Sequence, residues 1–369
     1  MADRIAPTLR SASFRAVPPF QPQEIRMHSS HRSRHSLQLL AAVAVAGALG
    51  AAPAVAQQVV KYGVAAISMS HAPAMMATVA PEIFAKHGIR MDLTDFRGNS
   101  QNCLTAMITG SVETCQTGTT TGTDAIAEGA KINGIAVIIG PISEIVLSAK
   151  TVAKLGGVGP TSPLADRVRA LKGLRIVSSG PGTAHYVTLD AMMKKAGSNI
   201  GELKFRTLGD TIAMMESIRN DQIDGAMWTV GTLAGVLSDK SGMRWINVAG
   251  GDVPEFRGVP YVTVYAQSAW VEKNPDLARL VHDALADAIA AMKAEPAKYS
   301  KLLKEKYFPQ MAQGIWDDSY SQGVPSLLDG ARASRAGWQY FLQLQAENTK
   351  KDYSKAAWEL ALIPVAQAR

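Results

Sequence analysis

The sequence predicts an α/β protein built from two similar lobes, and three observations support this. Short apolar runs of strand length alternate with segments of helical periodicity, which is typical of a mostly parallel sheet covered by helices. The alternation stops at a Gly-, Pro- and Ser-rich stretch, residues 155–163, and then starts again with the same rhythm. The 369 residues suffice for two domains of ordinary size.

The first series of predicted elements follows residue 57. In order, it consists of strand 59–66, helix 73–87, strand 90–96, helix 101–109, strand 112–117, helix 124–129 and strand 135–139. Gly88 is suited to end the first helix because glycine readily adopts the left-handed conformation of a C-terminal cap.

The second series repeats this order and is followed by a return of the chain. Its elements are strand 174–178, helix 183–195, strand 202–207, helix 212–220 and strand 223–228, and a strand at 261–266 and a helix from Asn274 come after it. The last strand suggests that the chain crosses back to the first lobe. We therefore expect lobe 1 at 57–150 plus 260–369 and lobe 2 at 151–259, joined by a hinge of two crossings.

The two series also correspond residue by residue. A shift of 111 positions aligns Gly98-Asn99-Ser100 with Gly209-Asp210-Thr211, and Val112-Glu113 with Ile223-Asp224. The equal spacing favours two copies of one βαβ unit. An alternative remains open for each motif alone, because Gly, Asn or Asp, and Ser or Thr are the usual residues of loops that open helices.

Residues 1–56 predict a secretory signal peptide. Three arginines within 26–34 precede a nearly uniform apolar run, 37–50, and small residues ending at Ala56 then supply a cleavage site. The run is shorter than the roughly 20 residues that a membrane-spanning helix needs. We therefore expect cleavage near Ala56 and a periplasmic protein. Met27 is an alternative start, because the segment from Met27 alone has the length of a signal peptide.

The net charge of +7 is concentrated in this segment, whose six arginines face only two acidic residues. The rest of the chain is nearly balanced, which argues against a nucleic-acid-binding surface. The 47% hydrophobic content is that of an ordinary globular protein.

Ligands of open parallel sheets bind beyond the carboxyl ends of the strands, and this rule selects the candidate site residues. They are Ser68, Ser70, His71, Arg97, Asn99, Ser100, Thr117, Thr119, Thr120, Gly182, Thr183, His185, Asp210, Thr211 and Trp228. Several of them open helices, whose free N–H groups and positive dipole attract anions. We favour a small organic anion as the ligand, with an uncharged or aromatic solute as the alternative.

Each of these residues also has a purely structural interpretation. The Asn, Ser, Asp and Thr residues that open two of the helices could act only as caps. Arg97 suits a carboxylate or sulfonate, but a solvated arginine at a strand end is equally consistent with the sequence. Trp228 could stack on a ligand or pack in the core. The threonines at 119–121 offer neutral hydroxyls or form an ordinary polar loop.

Nothing in the sequence predicts catalysis. It contains no Gly-x-Ser-x-Gly elbow, phosphate-binding Gly-Lys-Thr loop, HExxH or CxxC motif. The histidines beyond residue 56 are His71, His87, His185 and His282, and none has metal-ligand spacing. We predict no catalytic residue, no metal site and no cofactor.

The two cysteines, Cys103 on a predicted helix and Cys115 on the next strand, could pair in an oxidising compartment. Two separate buried thiols are the alternative, because a disulfide also requires that the Cβ vectors agree.

Five segments carry a resemblance to a known family. They are PEIFAKHGIRMDL (81–93), LTAMITGSVETC (104–115), LKGLRIVSSGPGT (171–183), MMESIRNDQIDGAMW (214–228) and NPDLARLVHDALADA (274–288). In this order, they resemble the sulfonate/nitrate/taurine-type periplasmic substrate-binding proteins of ABC importers, which share a fold with thiamine-pyrimidine-synthase-like proteins. The resemblance implies a type II periplasmic-binding fold, a monomer without enzymatic activity, a small-molecule ligand and a membrane permease as partner.

Two other functions stay open. An enzyme of the same fold could make a thiamine pyrimidine or dehydrate a chorismate-like acid, although the predicted signal peptide argues against it. A periplasmic sensor component is the other alternative. The family often has a Gly-Glu-x-Asp turn where this chain reads Gly110-Ser111-Val112-Glu113, and this departure leaves the ligand open.

Overall fold

A computed structural model describes residues 57–368 of the protein. The predicted signal peptide, its cleavage site at Ala56 and the alternative start at Met27 lie outside the described residues. Within the described range, no helix combines the length and the apolar character that crossing a membrane requires.

Strands form two five-stranded sheets and one small two-stranded sheet. In chain order they are β1 (Gln58–Val64), β2 (Ile89–Asp95), β3 (Thr114–Gly118), β4 (Ile132–Ile139), β5 (Ser143–Ser148), β6 (Ile176–Ser178), β7 (Arg206–Thr207), β8 (Gly225–Thr229), β9 (Gly242–Asn247), β10 (Val262–Gln267), β11 (Ala333–Ser334) and β12 (Gln367–Ala368). The small sheet pairs β11 with β12.

Helices connect and cover these strands. They are α1 (Ala72–Val79), α2 (Pro81–Ala85), α3 (Ser100–Ile108), α4 (Thr119–Ala127), α5 (Ala149–Lys154), α6 (Leu164–Arg169), α7 (Ala184–Lys195), α8 (Thr211–Arg219), α9 (Ala234–Ser238), α10 (Ser268–Lys273), α11 (Pro275–Ala294), α12 (Pro296–Tyr307), α13 (Gln313–Gly323), α14 (Arg335–Thr349) and α15 (Trp358–Ala361). Short 3-10 turns join several of them.

The two large sheets have the same topology. The first has the order β2-β1-β3-β10-β4 and the second the order β7-β6-β8-β5-β9. In each, the first three strands are parallel, and the fourth runs antiparallel to both of its neighbours. The α/β fold class with two similar lobes is therefore confirmed.

The antiparallel strand of each sheet is the one that the chain contributes after crossing from the other sheet. The chain leaves β4 through residues 140–142 to enter β5, and it leaves β9 through residues 248–261 to enter β10. These two connections form the hinge. Because β5 belongs to the second sheet, the boundary that the sequence places at residue 150 falls inside the second lobe. We place the first crossing at 140–142 instead.

Three predicted elements differ in the structure for identifiable reasons. The predicted helix 73–87 is two helices, because Ala80 has φ −145° and ψ 58° and Pro81 starts a new helix. The predicted strand 202–207 is reduced to the two-residue edge strand β7. The threonines at 119–121, predicted as a loop, form the first turn of α4.

The core of the first lobe lies on both faces of its sheet, and α11 shows how sequence pattern and packing agree. Apolar residues recur along this helix at helical spacing, and the face that they form is buried at Val281, Leu285, Ile289 and Met292, each at most 1% exposed. It packs with the side chains of β1, α1 and β4 in one cluster. On the opposite face, a disulfide joins Cys103 of α3 to Cys115 of β3.

Candidate ligand cleft between the sheets

The carboxyl ends of the parallel strands in one sheet face those in the other sheet. His185, in the first turn of α7 in the second lobe, is the centre of the contacts between them. Its Nδ1 lies 2.8 Å from Ser143 Oγ at the start of β5. Its Nε2 lies 3.0 Å from the hydroxyl of Tyr261, which precedes β10 of the first lobe, and 3.4 Å from Thr229 Oγ1. One histidine thus contacts Ser143, which directly follows the first hinge connection, and Tyr261, which ends the second.

Aromatic rings surround the same histidine. The His185 ring stacks on Trp228, with the ring centroids 5.0 Å apart and an interplanar angle of 29°. The Tyr261 ring lies 5.7 Å from the His185 centroid on another side. Trp228 is only partly buried, so its indole remains available to a flat or alkyl body in the cleft.

Burial keeps these groups uncharged. It lowers the pKa of His185 to about 4 and raises the pKa of the Tyr261 hydroxyl well above its usual value. At neutral pH, the cluster therefore presents hydrogen-bonding groups and ring faces without a formal charge.

A second buried histidine lies in the first lobe at the start of α1. The side chains of Ser68, Ser70 and His71 form a triangle, with each hydroxyl 3.0 Å from His71 Nδ1 and the two hydroxyls 2.8 Å apart. Burial lowers the pKa of His71 to about 4. Within residues 57–368, His71 Nε2 is buried and has no hydrogen-bond partner. His71 Nε2 is therefore an unsatisfied buried polar atom, and contact of His71 with a ligand stays a prediction.

Of the three predicted threonines, two have side chains enclosed within the first lobe and one lines a cavity between the lobes. Thr119 Oγ1 lies 2.8 Å from Thr263 Oγ1, so the Thr119 hydroxyl is engaged by strand β10 of the first lobe. Thr117 is fully buried. Thr120 instead lines a small cavity that it shares with Ala184 at the start of α7. Of the three, Thr120 is therefore the one placed between the lobes.

Two loops supply caps. Asn99 Oδ1 accepts a hydrogen bond from Asn102 N of α3 (2.9 Å), and Asp210 Oδ1 accepts from Ile212 N (2.9 Å) and Ala213 N of α8. Ser100 and Thr211 are the first residues of these same helices. The structure thus shows the capping role that the sequence left open, and a role in ligand binding stays a prediction for these four residues.

Arg97 lies in an exposed loop with a left-handed backbone, φ 53°. Its amide donates to Asp95 Oδ1 (2.9 Å), and the next residue, Gly98, donates to Ala65 O (2.7 Å). The loop is thereby held at the end of β1. Contact of the guanidinium with a ligand stays a prediction.

The remaining predicted residues belong to the loop before α7. Gly182 has φ 80°, and its amide donates to Asn348 Oδ1 of α14 (3.2 Å). The Thr183 hydroxyl donates to Gly180 O (2.7 Å), so it stabilises the turn of its own loop. The amide contact ties the second lobe's loop to a C-terminal helix.

Helices α13 and α14 contact residues near the cleft. In α13, Asp318 pairs with Arg244 of β9, while Gly323 packs closely against Met69 beside the serine–histidine triangle. Helix α14 contacts α7 and contributes Phe341 and Leu344 to the small cavity at Thr120. The C-terminal helices therefore contact both lobes.

Sequence reasoning missed Ser143 and Tyr261. Ser143 and Tyr261 stand at the amino ends of the two antiparallel strands, which reach the same sheet edge as the carboxyl ends of the parallel strands. The rule for parallel strands does not select them. Thr229 directly follows the predicted Trp228.

The lowered pKa values of the two histidines predict a dependence of stability on pH. Because the unfolded chain binds protons near pH 6.5 and the folded protein only near pH 4, the free energy of unfolding should fall as the pH drops from about 6.5 to 4. Urea unfolding at pH 7.0 and 5.0 measures this loss. A His71→Gln/His185→Gln variant should lose less stability over this interval than the unsubstituted protein, and an equal loss would contradict the assignment.

No group of three or more His, Cys, Asp or Glu residues within 57–368 is arranged to hold a metal ion. The cleft is thus a site of neutral donors, acceptors and rings between two lobes of one topology. A fold of this kind, with its sheets exchanging one strand each, is the two-lobed periplasmic-binding fold.

The model of the family described as "NMT1/THI5 like" matches residues 68–299, more than half of the chain. The protein therefore belongs to the NMT1/THI5-like family, and the resemblance inferred from the five segments is confirmed at the level of family and fold.

Solved structures with the same fold include binding components of import systems. The alkanesulfonate-binding protein SsuA from Xanthomonas axonopodis pv. citri, bound to MOPS, is 16% identical with a TM-score of 0.59, and the match covers 86% of this chain and 99% of that one. The aliphatic sulphonate binding protein SsuA from Escherichia coli is 16% identical (TM-score 0.57; 73% and 85% covered). The nitrate-binding protein NrtA from Synechocystis PCC 6803 is 14% identical (TM-score 0.54; 72% and 70% covered). Among curated proteins, no sequence gives a significant match.

Proposed function

We propose that the protein is a periplasmic solute-binding receptor that captures a small organic molecule between its two lobes and delivers it to the permease of an ABC importer. The observation that carries this proposal is the cluster at His185, where Ser143, directly after the first hinge connection, meets Tyr261 at the end of the second. A ligand that contacts them all would favour the closed arrangement of the lobes. The protein acts as a monomer and without catalysis in this proposal.

The ligand that the cleft supports best is a small organic anion. Helices α1, α4 and α7 begin at the cleft, and a helix start attracts negative charge through its free N–H groups. The unpartnered Nε2 of His71 would offer a polar contact to a ligand that reaches it. The relatives named for sulfonate and nitrate binding agree with this class. Trp228 would cover the organic body of such a ligand.

An uncharged aromatic solute is the second candidate. It is favoured by the neutral state of His185 and Tyr261 and by the three rings at that point. A flat ring that hydrogen bonds to neutral partners needs no cation in the cleft.

A thermal-shift screen of the purified protein tests the proposal and separates the two ligand classes. The panel holds sulfonates, nitrate, aromatic and aliphatic carboxylates, and uncharged pyrimidines. A ligand at 100 times its Kd should stabilise the protein by about 2.7 kcal/mol. We expect a clear shift from one class and recovery of that compound unchanged by mass spectrometry. A chemically altered compound would instead support the enzyme alternative.

Arg97→Gln tests the one cation among the predicted contacts. If the ligand is an anion that Arg97 holds, the variant should bind it more weakly by about 1.5–3 kcal/mol, since a hydrogen bond to a charged group is lost. Arg90→Gln, an exposed arginine of β2, is the matched control and should leave the affinity unchanged. Equal affinities of both variants would remove Arg97 from the site.

A further inference from the structure

A cavity of about 410 Å³ lies at the hinge, apart from the cluster at His185. Its walls come from the first connection, at Gly140 and Pro141, from the second connection at 248–258, and from residues 325–329 together with Lys293 of α11. The volume falls within the range of pockets that hold small organic ligands. We call this cavity the hinge pocket.

The backbone fixes the walls of the hinge pocket. Gly140 N donates to Ser326 O (2.8 Å), and Leu328 N donates to Ile138 O (2.9 Å), so the 325–329 wall is attached to the first lobe. The second connection is held by the second lobe, because Asp252 accepts from Asn247 N (2.8 Å) and pairs with Arg167. An occupant of the pocket would therefore contact segments fixed to different lobes.

The pocket combines an apolar wall with a rim of charged side chains. Val248, Val253, Phe256 and Leu327 contribute apolar side chains. Phe256 also lines the small cavity at Thr120, so the second connection separates the hinge pocket from the cleft.

Two cationic side chains lie on the rim, and within the described residues only one of them is paired with a carboxylate. Lys293 Nζ is engaged by Leu327 O (2.7 Å) and by Asp329 Oδ1 (2.5 Å). Arg257 is exposed, and its guanidinium lies close to the backbone of Gly251, where a Cβ would meet Nη2 at 3.2 Å. Among residues 57–368, Arg257 forms no ion pair with a carboxylate. The rim thus carries one cation that lacks a counter-charge.

We propose that the hinge pocket is a second binding site, for a small organic anion whose apolar body contacts Phe256 and Val253 and whose negative group pairs with Arg257. A planar guanidinium recognises carboxylates and similar groups through paired hydrogen bonds. Because its walls are fixed to different lobes, an anion in this site favours one angle between them. The site does not depend on which solute the cleft binds.

Fluorine NMR relaxation with 4-fluorobenzoate as the probe tests this site on the purified protein. Arg257→Gln removes the cation, Ala249→Phe fills the pocket, and 4-fluorobenzamide is the uncharged counterpart of the probe. We expect 4-fluorobenzoate to bind, and its Kd to rise at least tenfold in either variant. Arg90→Gln should bind it as the unsubstituted protein does, and the cleft variant Trp228→Ala should keep the binding that depends on Arg257. Thermal unfolding confirms that each variant is folded.

Three results would overturn the proposal. They are the absence of 4-fluorobenzoate binding at millimolar concentration, equal binding by Arg257→Gln, and a loss of binding in Trp228→Ala that places the probe in the cleft. Because the cleft variant is measured beside the hinge variants, failure of this site is distinguishable from failure of the cleft.

In small-angle scattering, saturating probe should change the radius of gyration of the unsubstituted protein but not of Arg257→Gln. Equal radii would refute the effect on the lobe angle.

Discussion

Replacing Arg244 with methionine is expected to lower the free energy of unfolding by about 3–5 kcal/mol, because it leaves the buried charge of Glu144 without its cation. Glu144 is fully buried in β5, and its Oε2 lies 2.6 Å from Arg244 Nε. Its other oxygen accepts a hydrogen bond from Gly231 N at 3.1 Å. This single hydrogen bond does not compensate for the cost of burying the charge. Urea unfolding at pH 7.5 measures the loss.

The pair has a matched control on the surface and a rescue variant. Arg219→Met breaks exposed pairs with Glu216 and Asp239 and should cost less than about 1 kcal/mol. Adding Glu144→Gln to Arg244→Met removes the orphaned charge and should restore part of the stability. An Arg244→Met variant as stable as Arg219→Met would contradict the assignment of a buried pair.

The same variant should respond to pH in a defined direction. Burial raises the pKa of Glu144, and Arg244 opposes this rise. Without Arg244, the pKa rises further, so the folded state holds this proton more tightly than the unfolded chain does. Protonation then stabilises the fold below the ordinary glutamate pKa, and this stabilisation is lost as the pH rises through the folded-state pKa. The cost of Arg244→Met should therefore be smaller at pH 4.5 than at pH 7.5.

Removing the disulfide through Cys103→Ala/Cys115→Ala should lower the free energy of unfolding by about 3 kcal/mol, the value expected for closing a loop of this size. The bond ties α3, which follows the loop at Arg97, to β3, which leads into α4 at Thr119. A reductant should destabilise the unsubstituted protein by a similar amount and leave the double variant unchanged. If the reductant has no effect on the unsubstituted protein under unfolding conditions, the bond does not form in solution.

Much of the fold could be predicted from the sequence, because its elements carry strong local patterns. The apolar face of α11 repeats at helical spacing, and the 111-residue shift aligns α3 and β3 with α8 and β8. Strands β5 and β9 were missed. β5, SEIVLS, is buried at every position, so it shows none of the alternation that marks a half-buried strand. Which sheet such a strand joins depends on chain crossing, which no local pattern encodes.

Some residues of the candidate cleft could also be predicted from local patterns. His71, His185, Thr120 and Trp228 follow parallel strands, and the rule for strand ends selects them. Tyr261 and Ser143 precede antiparallel strands, and only the crossing of the chain brings them to His185. For Asn99 and Asp210, the sequence does not distinguish a helix-capping role from a ligand-binding role, because both roles need a side-chain oxygen at the start of a helix.

The most direct test of the receptor proposal is titration calorimetry of the strongest ligand from the panel with one variant from each lobe. His71→Leu removes a hydrogen-bonding group from the first lobe, and Trp228→Ala removes a ring from the second. Leu360→Ala, at a 63% exposed residue outside the cleft, is the control. If the ligand binds between the lobes, both cleft variants should weaken binding by about 0.5–1.5 kcal/mol each while the control does not. Loss of affinity in only one lobe's variant, or in neither, would contradict capture between the lobes.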